Sequence, residues 1–296
     1  MKRWLRRFLG LLLIGQGFAD EQMRLIVCGM AKVFVIPSTD GAGERSWEWQ
    51  VTDSKEIPAT MRTSFATTDD CKPYAGLILI TSSSGGVALV ERASKKCLFH
   101  TTVKNAHSAC LLPGERVAVA SSFGGDEVRI FNRKESGVGI KPTAKIPLYG
   151  AHGVEWDEQR KVLWALGTGK LLKIRFGEDG AKITEEFELP TSGGHDLSWW
   201  QKDTFAISVD DHCYLFDLKE EKFRPLASLA DEKKVKSIDR PASSGKVVWH
   251  KGTETSWWSH AIRFLPEGKT KVMEGEKIYK VRWDLPRALP GDGLRE

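Results

Sequence analysis

Three segments of this chain repeat one pattern at nearly constant spacing. "HSACLLPGERVAVASSFGGDEVRIFN" begins at His107, "HGVEWDEQRKVLWALGTGKLLKIRF" at His152 and "HDLSWWQKDTFAISVDDHCYLFDL" at His195, separations of 45 and 43 residues. Each divides into the same parts: a short apolar run, a turn, a β-branched or small-residue strand, a second turn and an alternating strand. Short strands joined by Gly- and Asp-rich turns read as hairpins. A fourth strand follows in places, as "ITEEFEL" does after the second segment.

Less perfect copies flank these three. "GLILITSSSGGVALVER" followed by "KCLFHTTV" lies upstream, and "KVVWHKGTETSWWSHAIRFL" lies downstream. "RLIVCGMAKVFVIP" with "SWEWQV" supplies a first unit, and the terminal "KIYKVRWDL" a last strand able to complete a blade. Self-similarity at about 40–50 residues, with four strands per unit, predicts an all-β fold, a β-propeller. The count gives six blades, with seven as the alternative. A β-sandwich would not need the repeat, and no stretch carries helical periodicity of useful length. Trp156, Trp164, Phe176, Phe131 and Phe216 fall within strands and are expected to pack between blades.

The first nineteen residues, "MKRWLRRFLGLLLIGQGFA", place four basic residues before a short apolar run and a small-residue site. That order predicts a secretory signal peptide over 1–19, and a single propeller domain over 20–296 that is secreted or periplasmic. The apolar run is too short for a mature spanning helix, so no stable membrane insertion is expected. The formal charge of +5 falls to about +1 once that segment is removed, so no nucleic-acid partner is expected. The five cysteines lack any close CxxC spacing. Cys28, Cys110 and Cys213 lie in apolar strand patterns and read as buried thiols, with one disulfide elsewhere left open.

In a propeller the first strand of each unit is innermost. Histidines 107, 152 and 195 each open such a strand, so neighbouring blades should bring them together at the mouth of the central channel. Three neutral imidazoles there could hold a divalent metal ion, or move protons as catalytic groups. The competing reading is structural, with each ring capping its own strand. Other residues expected at that mouth are Asp69, Asp70, Lys72 and Tyr74 in the entry loop "TTDDCKPY", Asp210, Asp211 and His212 in the "DDH" turn, Lys236 and Asp239 in "KVKSIDR", and Glu254, Trp257 and Trp258 in "TETSWW". Carboxylates, lysines, imidazoles and indoles together suit a sugar, an acidic one in particular. For the acidic turns taken singly, ordinary turn chemistry is the simpler account. No G-x-S-x-G, Walker loop, dinucleotide fingerprint or HExxH appears.

The stretches "NAHSACLLPGERVAVASS", "AHGVEWD" with "LWALG", and "GGHDL" resemble an uncharacterised family of secreted bacterial six-bladed propellers, a domain of unknown function. The likeness runs from Arg24 to Leu285 and implies fold and export. The general plan is also similar to oligogalacturonate lyases, propellers whose channel mouth uses several histidines to bind a divalent metal; that likeness is architectural. The expectation is a monomer with one oligosaccharide or small-molecule site. It would act as a lyase or hydrolase on an acidic sugar, with Lys72 or Lys236 neutralising the substrate carboxylate. The alternative is a non-catalytic propeller that binds a glycan or a protein.

Overall fold

The computed structural model describes residues 23–39, 44–178 and 180–291. The expected signal peptide lies outside the described residues. Six antiparallel four-stranded sheets form a six-bladed propeller. The innermost strands of blades two to six are Thr68–Tyr74, Ala106–Leu112, Gly153–Asp157, Asp196–Gln201 and Val235–Asp239. The first blade takes its innermost strand, Lys280–Trp283, from the far end of the chain. That strand pairs with Arg24–Gly29 in the register Leu25↔Trp283 and Cys28↔Lys280. The ring is thus closed by backbone hydrogen bonds between the two ends of the domain, as "KIYKVRWDL" predicts.

The core is six seams between blades, because alternate residues of each strand face opposite neighbours. Ile26 and Cys28 pack towards the second blade with Cys71 and Ile80. Leu25 and Val27, on the same strand, pack towards the sixth with Val248 and Ile262. The strand aromatics behave as expected. Trp164, Phe131 and Phe216 are fully buried, and Trp156 packs against Phe176 with centroids 6.2 Å apart. All five cysteines are buried free thiols. A feature the sequence does not announce is a pair of short 3-10 turns, Val51–Asp53 and Ala59–Phe65, between the first two blades. They insert Met61 and Phe65 into the first seam, where Phe65 meets Trp49 edge-on at 5.5 Å. No helix among the described residues is long and apolar enough to cross a membrane.

Candidate functional site

Each inner strand contributes one side chain to a ring at the channel mouth. In order around the propeller these are Asp69, His107, His152, His195, Lys236 and Tyr279. In three blades the ladder slips by one residue at this position, between Thr68 and Asp70, Ala106 and Ser108, and Val235 and Ser237. A bulge of this kind leaves the extra residue unpaired and re-aims its side chain, here Asp69, His107 and Lys236.

The three histidines do meet. The His107 and His152 rings lie 4.3 Å apart, and His152 meets His195 edge-on at 5.4 Å. The ring continues on both sides. His107 Nδ1 is 3.5 Å from an Asp69 carboxylate oxygen and 3.4 Å from the Tyr279 hydroxyl. His195 Nε2 lies 2.7 Å from Asp210 Oδ1 and 2.9 Å from Lys236 Nζ. With Phe123, Trp257, Trp258 and Lys277, the ring members other than Lys236 line a funnel of about 450 Å³, a size suited to a small ligand. Lys236 lies buried behind it, against His195 and Trp257. Each indole carries an ammonium on its face: Lys236 over Trp257 at 4.9 Å and Lys277 over Trp258 at 4.8 Å.

Burial dominates the protonation of the ring. It pushes Asp69 up to about 7, against the hydrogen bond its carboxylate accepts from the Ser83 amide. It takes His152 down to about 3 and Lys236 down to about 7. His107 is held well below the usual imidazole range by burial and then by His152 and the lysines nearby. His195 is lowered by burial too, in spite of Asp210, whose own carboxyl is held low by the hydrogen bond from His195. One ring nitrogen cannot donate to Asp210 and accept from Lys236 at once. A proton on His195 Nε2 that bonds the Asp210 carboxylate leaves the Lys236 amine as a neutral neighbour, which agrees with its lowered affinity for protons. Aspartate, imidazole and amine then form a short proton chain, and His195 Nδ1 remains buried with no partner among the described residues.

Not every expected residue reaches the mouth. Trp257 and Trp258 do, and Lys236 does through His195 and Trp257. Lys72 does not. "TTDDCKPY" is an inner strand rather than a loop, and the Lys72 ammonium is sealed below the ring, 2.9 Å from Glu155 and donating to the Val154 carbonyl. Asp239 sits at the other end of its strand and accepts a hydrogen bond from the Trp283 amide. Asp211 and His212 pair with each other at 3.0 Å on an exposed turn, and it is Asp210, one residue earlier, that faces the funnel. The three histidines do not point their nitrogens at a common centre. His152 Nδ1 is taken up by the Gly150 carbonyl and Ser122, and His195 Nε2 by Asp210 and Lys236. Among the described residues no group of three His, Cys, Asp or Glu is placed to hold a metal ion. This packing suits proton transfer better than a shared metal.

Below the ring the channel is filled by charge. Arg282 donates to Asp70 and Asp196, each at 2.8 Å, and Lys280 reaches Asp196 at 2.8 Å. Near the C-terminus, Arg287 pairs by backbone with the second blade and by side chain with Glu155 of the fourth, spanning the lower end. Among the described residues the funnel therefore opens on one face. Asp69 and Asp210, both expected at the mouth, line the funnel. Tyr279, Phe123 and Lys277 are site residues that the repeat did not single out. Superposing the inner strands would have found Tyr279, since "IYKVR" occupies the register of "AHSAC" and "AHGVE".

No curated protein matches the chain. Residues 22–290 match the Family of unknown function (DUF6528), and the chain belongs to that family.

Proposed function

We propose that the protein is an exported carbohydrate-active enzyme that cleaves an acidic sugar by elimination. The observation that carries this is the convergence of three histidines, Lys236 and Tyr279 at the floor of a one-mouthed funnel whose wall bears two cation-capped indoles. Indole faces pack on the apolar faces of sugar rings, and an ammonium beside each meets a carboxylate. Desolvated groups hold protons loosely at neutral pH, as acid–base catalysis requires.

In an elimination, a base takes the proton α to the carboxylate. The C–O bond to the leaving sugar breaks as the C=C bond forms, and the departing oxygen takes up a proton. The Lys236–His195–Asp210 side supplies the base, and the Tyr279 hydroxyl beside His107 supplies the acid. Lys277, over Trp258, neutralises the carboxylate, which lowers the cost of negative charge building on the α carbon. The basic N-terminal leader, "MKRWLRRFLGLLLIGQGFA", supports a site of action outside the cytoplasm.

The test is incubation of the purified protein with uronate-containing oligosaccharides, following the ultraviolet absorbance of the unsaturated product. His195→Ala and Tyr279→Phe should each lower turnover by about 10²–10⁴. New reducing ends without an unsaturated product would make it a hydrolase. Binding without any cleavage would make it a glycan-binding propeller and sink the enzymatic reading.

A further inference from the structure

We propose that a cationic groove on the mouth face extends the site, so that its ligand is a polyanionic glycan several sugars long. The chain would run outward from the funnel over the seam between the second and third blades. This rests on the acidic-sugar reading above and adds the length and direction of the ligand.

A cavity of about 500 Å³ lies on that seam, lined by Ser64, Ser84, Thr102, Lys104, Arg129 and Lys141 among others, with no Asp or Glu in its wall. Lys104 and Lys141 are exposed, and neither makes an ion pair among the described residues. Arg129 binds Glu127 at 2.6 Å, but Lys145 approaches the same oxygen at 3.5 Å, so one carboxylate serves two cations. The groove therefore keeps unneutralised positive charge beside hydroxyls able to bond a sugar.

The groove and the funnel share a wall. Lys104 precedes Asn105, which lines the funnel. The Lys104 ammonium lies over Gly124, so close that a Cβ there would come within 2.7 Å of it. Gly124 follows Phe123, whose ring stands on the funnel wall 5.5 Å from His152. Phe123 is 49% exposed and forms an aromatic lip on the side of the funnel nearest Lys104. The path is imidazole floor, aromatic lip, then lysines. A disaccharide held in the funnel would leave Lys104 and Lys141 with nothing to bind. A longer uronate chain would place successive carboxylates against successive cations, an attraction that salt screens over about 10 Å.

The experiment is calorimetric titration with a galacturonate disaccharide, a long galacturonate oligomer and a neutral oligomer of equal length. The wild-type protein should bind the long uronate most tightly, and added salt should weaken it most. Lys104→Glu with Lys141→Glu should cost the long uronate roughly tenfold in affinity and leave the disaccharide within about twofold. Both positions are exposed, and an unchanged melting curve will confirm the variant's fold. Equal affinity for short and long uronates would overturn the groove while leaving the funnel's reading intact, and a neutral oligomer bound as tightly as the long uronate would overturn both. If no uronate binds at any length, both fall together.

Discussion

Asp69 and Asp70 are consecutive, buried and both turned into the channel, yet their partners leave them in opposite states. Asp69, in the mouth ring, is pushed up to about 7. Asp70, one layer down, is held well below the usual carboxylate range: burial opposes ionisation there, but Arg282, Lys280 and Lys72 outweigh it. The same step separates His195 from Asp196 and Tyr279 from Lys280. Apart from Asp210 beside His195, ring members face neutral or like-charged neighbours; the layer beneath is paired oxygen to nitrogen at 2.8 Å. Partners, not burial, decide which buried groups keep their charge. The lower layer is thereby a plug that ties the blades together, and the upper layer is left without such pairing.

That contrast is most exposed to failure at the pair itself. Asp70→Asn would leave Arg282 short of one carboxylate in a sealed site, and should cost about 3–5 kcal/mol in urea denaturation. Asp69→Asn removes a carboxyl that is already largely protonated near neutrality, and should cost less than about 1 kcal/mol at pH 6. Equal losses at the two positions would mean that the layers are not different in kind.

The same contrast explains what the sequence could disclose. The propeller was legible because its repeat is written in turns and alternating strands, and the meeting of the three histidines follows from their shared place in that repeat. Lys72 was misplaced because "TTDDCKPY" has the composition of a loop; it is a strand whose charges are satisfied by other blades, and pairing across blades leaves no local mark. Asp239 failed for a related reason, lying three residues along a strand on which only Lys236 reaches the mouth. Asp210 and Asp211 are neighbours on one turn, and only backbone geometry distinguishes the one that faces inward. Gly193 helps decide it: with φ at +94°, it lies where a Cβ would collide with the Asp210 carboxylate. The bulges at Asp69, His107 and Lys236 are likewise properties of the ladder, invisible in composition.

Lys236 sharpens the comparison from the cationic side. Its folded affinity for protons is lowered by burial to about 7, from an ordinary 10.5. Asp210 opposes this, while Lys280 and Lys234 add to it. Between those two values the unfolded chain binds more protons than the folded one, so this residue makes stability rise with pH from about 7 to 10.5. Below 7 both states carry the proton and the full penalty remains. Lys236→Met should therefore be more stable than wild type at pH 6, by roughly 2–4 kcal/mol less the lost contact with His195, and the gain should shrink towards pH 10. A loss of stability at both pH values would show instead that Lys236 is paired like the layer below. Lys280→Met offers the opposite case, since it strips Asp196 of a partner and should destabilise at both pH values.

Trp257 makes the smallest demand on stability and so isolates the ring's openness. It is 69% exposed and meets the ring through the Lys236 ammonium, 4.9 Å from its face. Trp257→Ala should shift the unfolding free energy by no more than about 0.5–1 kcal/mol, the scale of an exposed cation–π contact. Its effect on a uronate ligand should be larger than its effect on the fold, roughly tenfold in affinity, because a stacked sugar buries the indole face that water now covers. A layer built for structure gives the reverse order, a large loss of stability with ligand affinity following only as folded protein is lost. Measuring both quantities on this one variant thus asks whether the mouth is held open for a ligand. Affinity unchanged with stability unchanged would place the indole outside the site and leave Trp258 and Lys277 to form its wall.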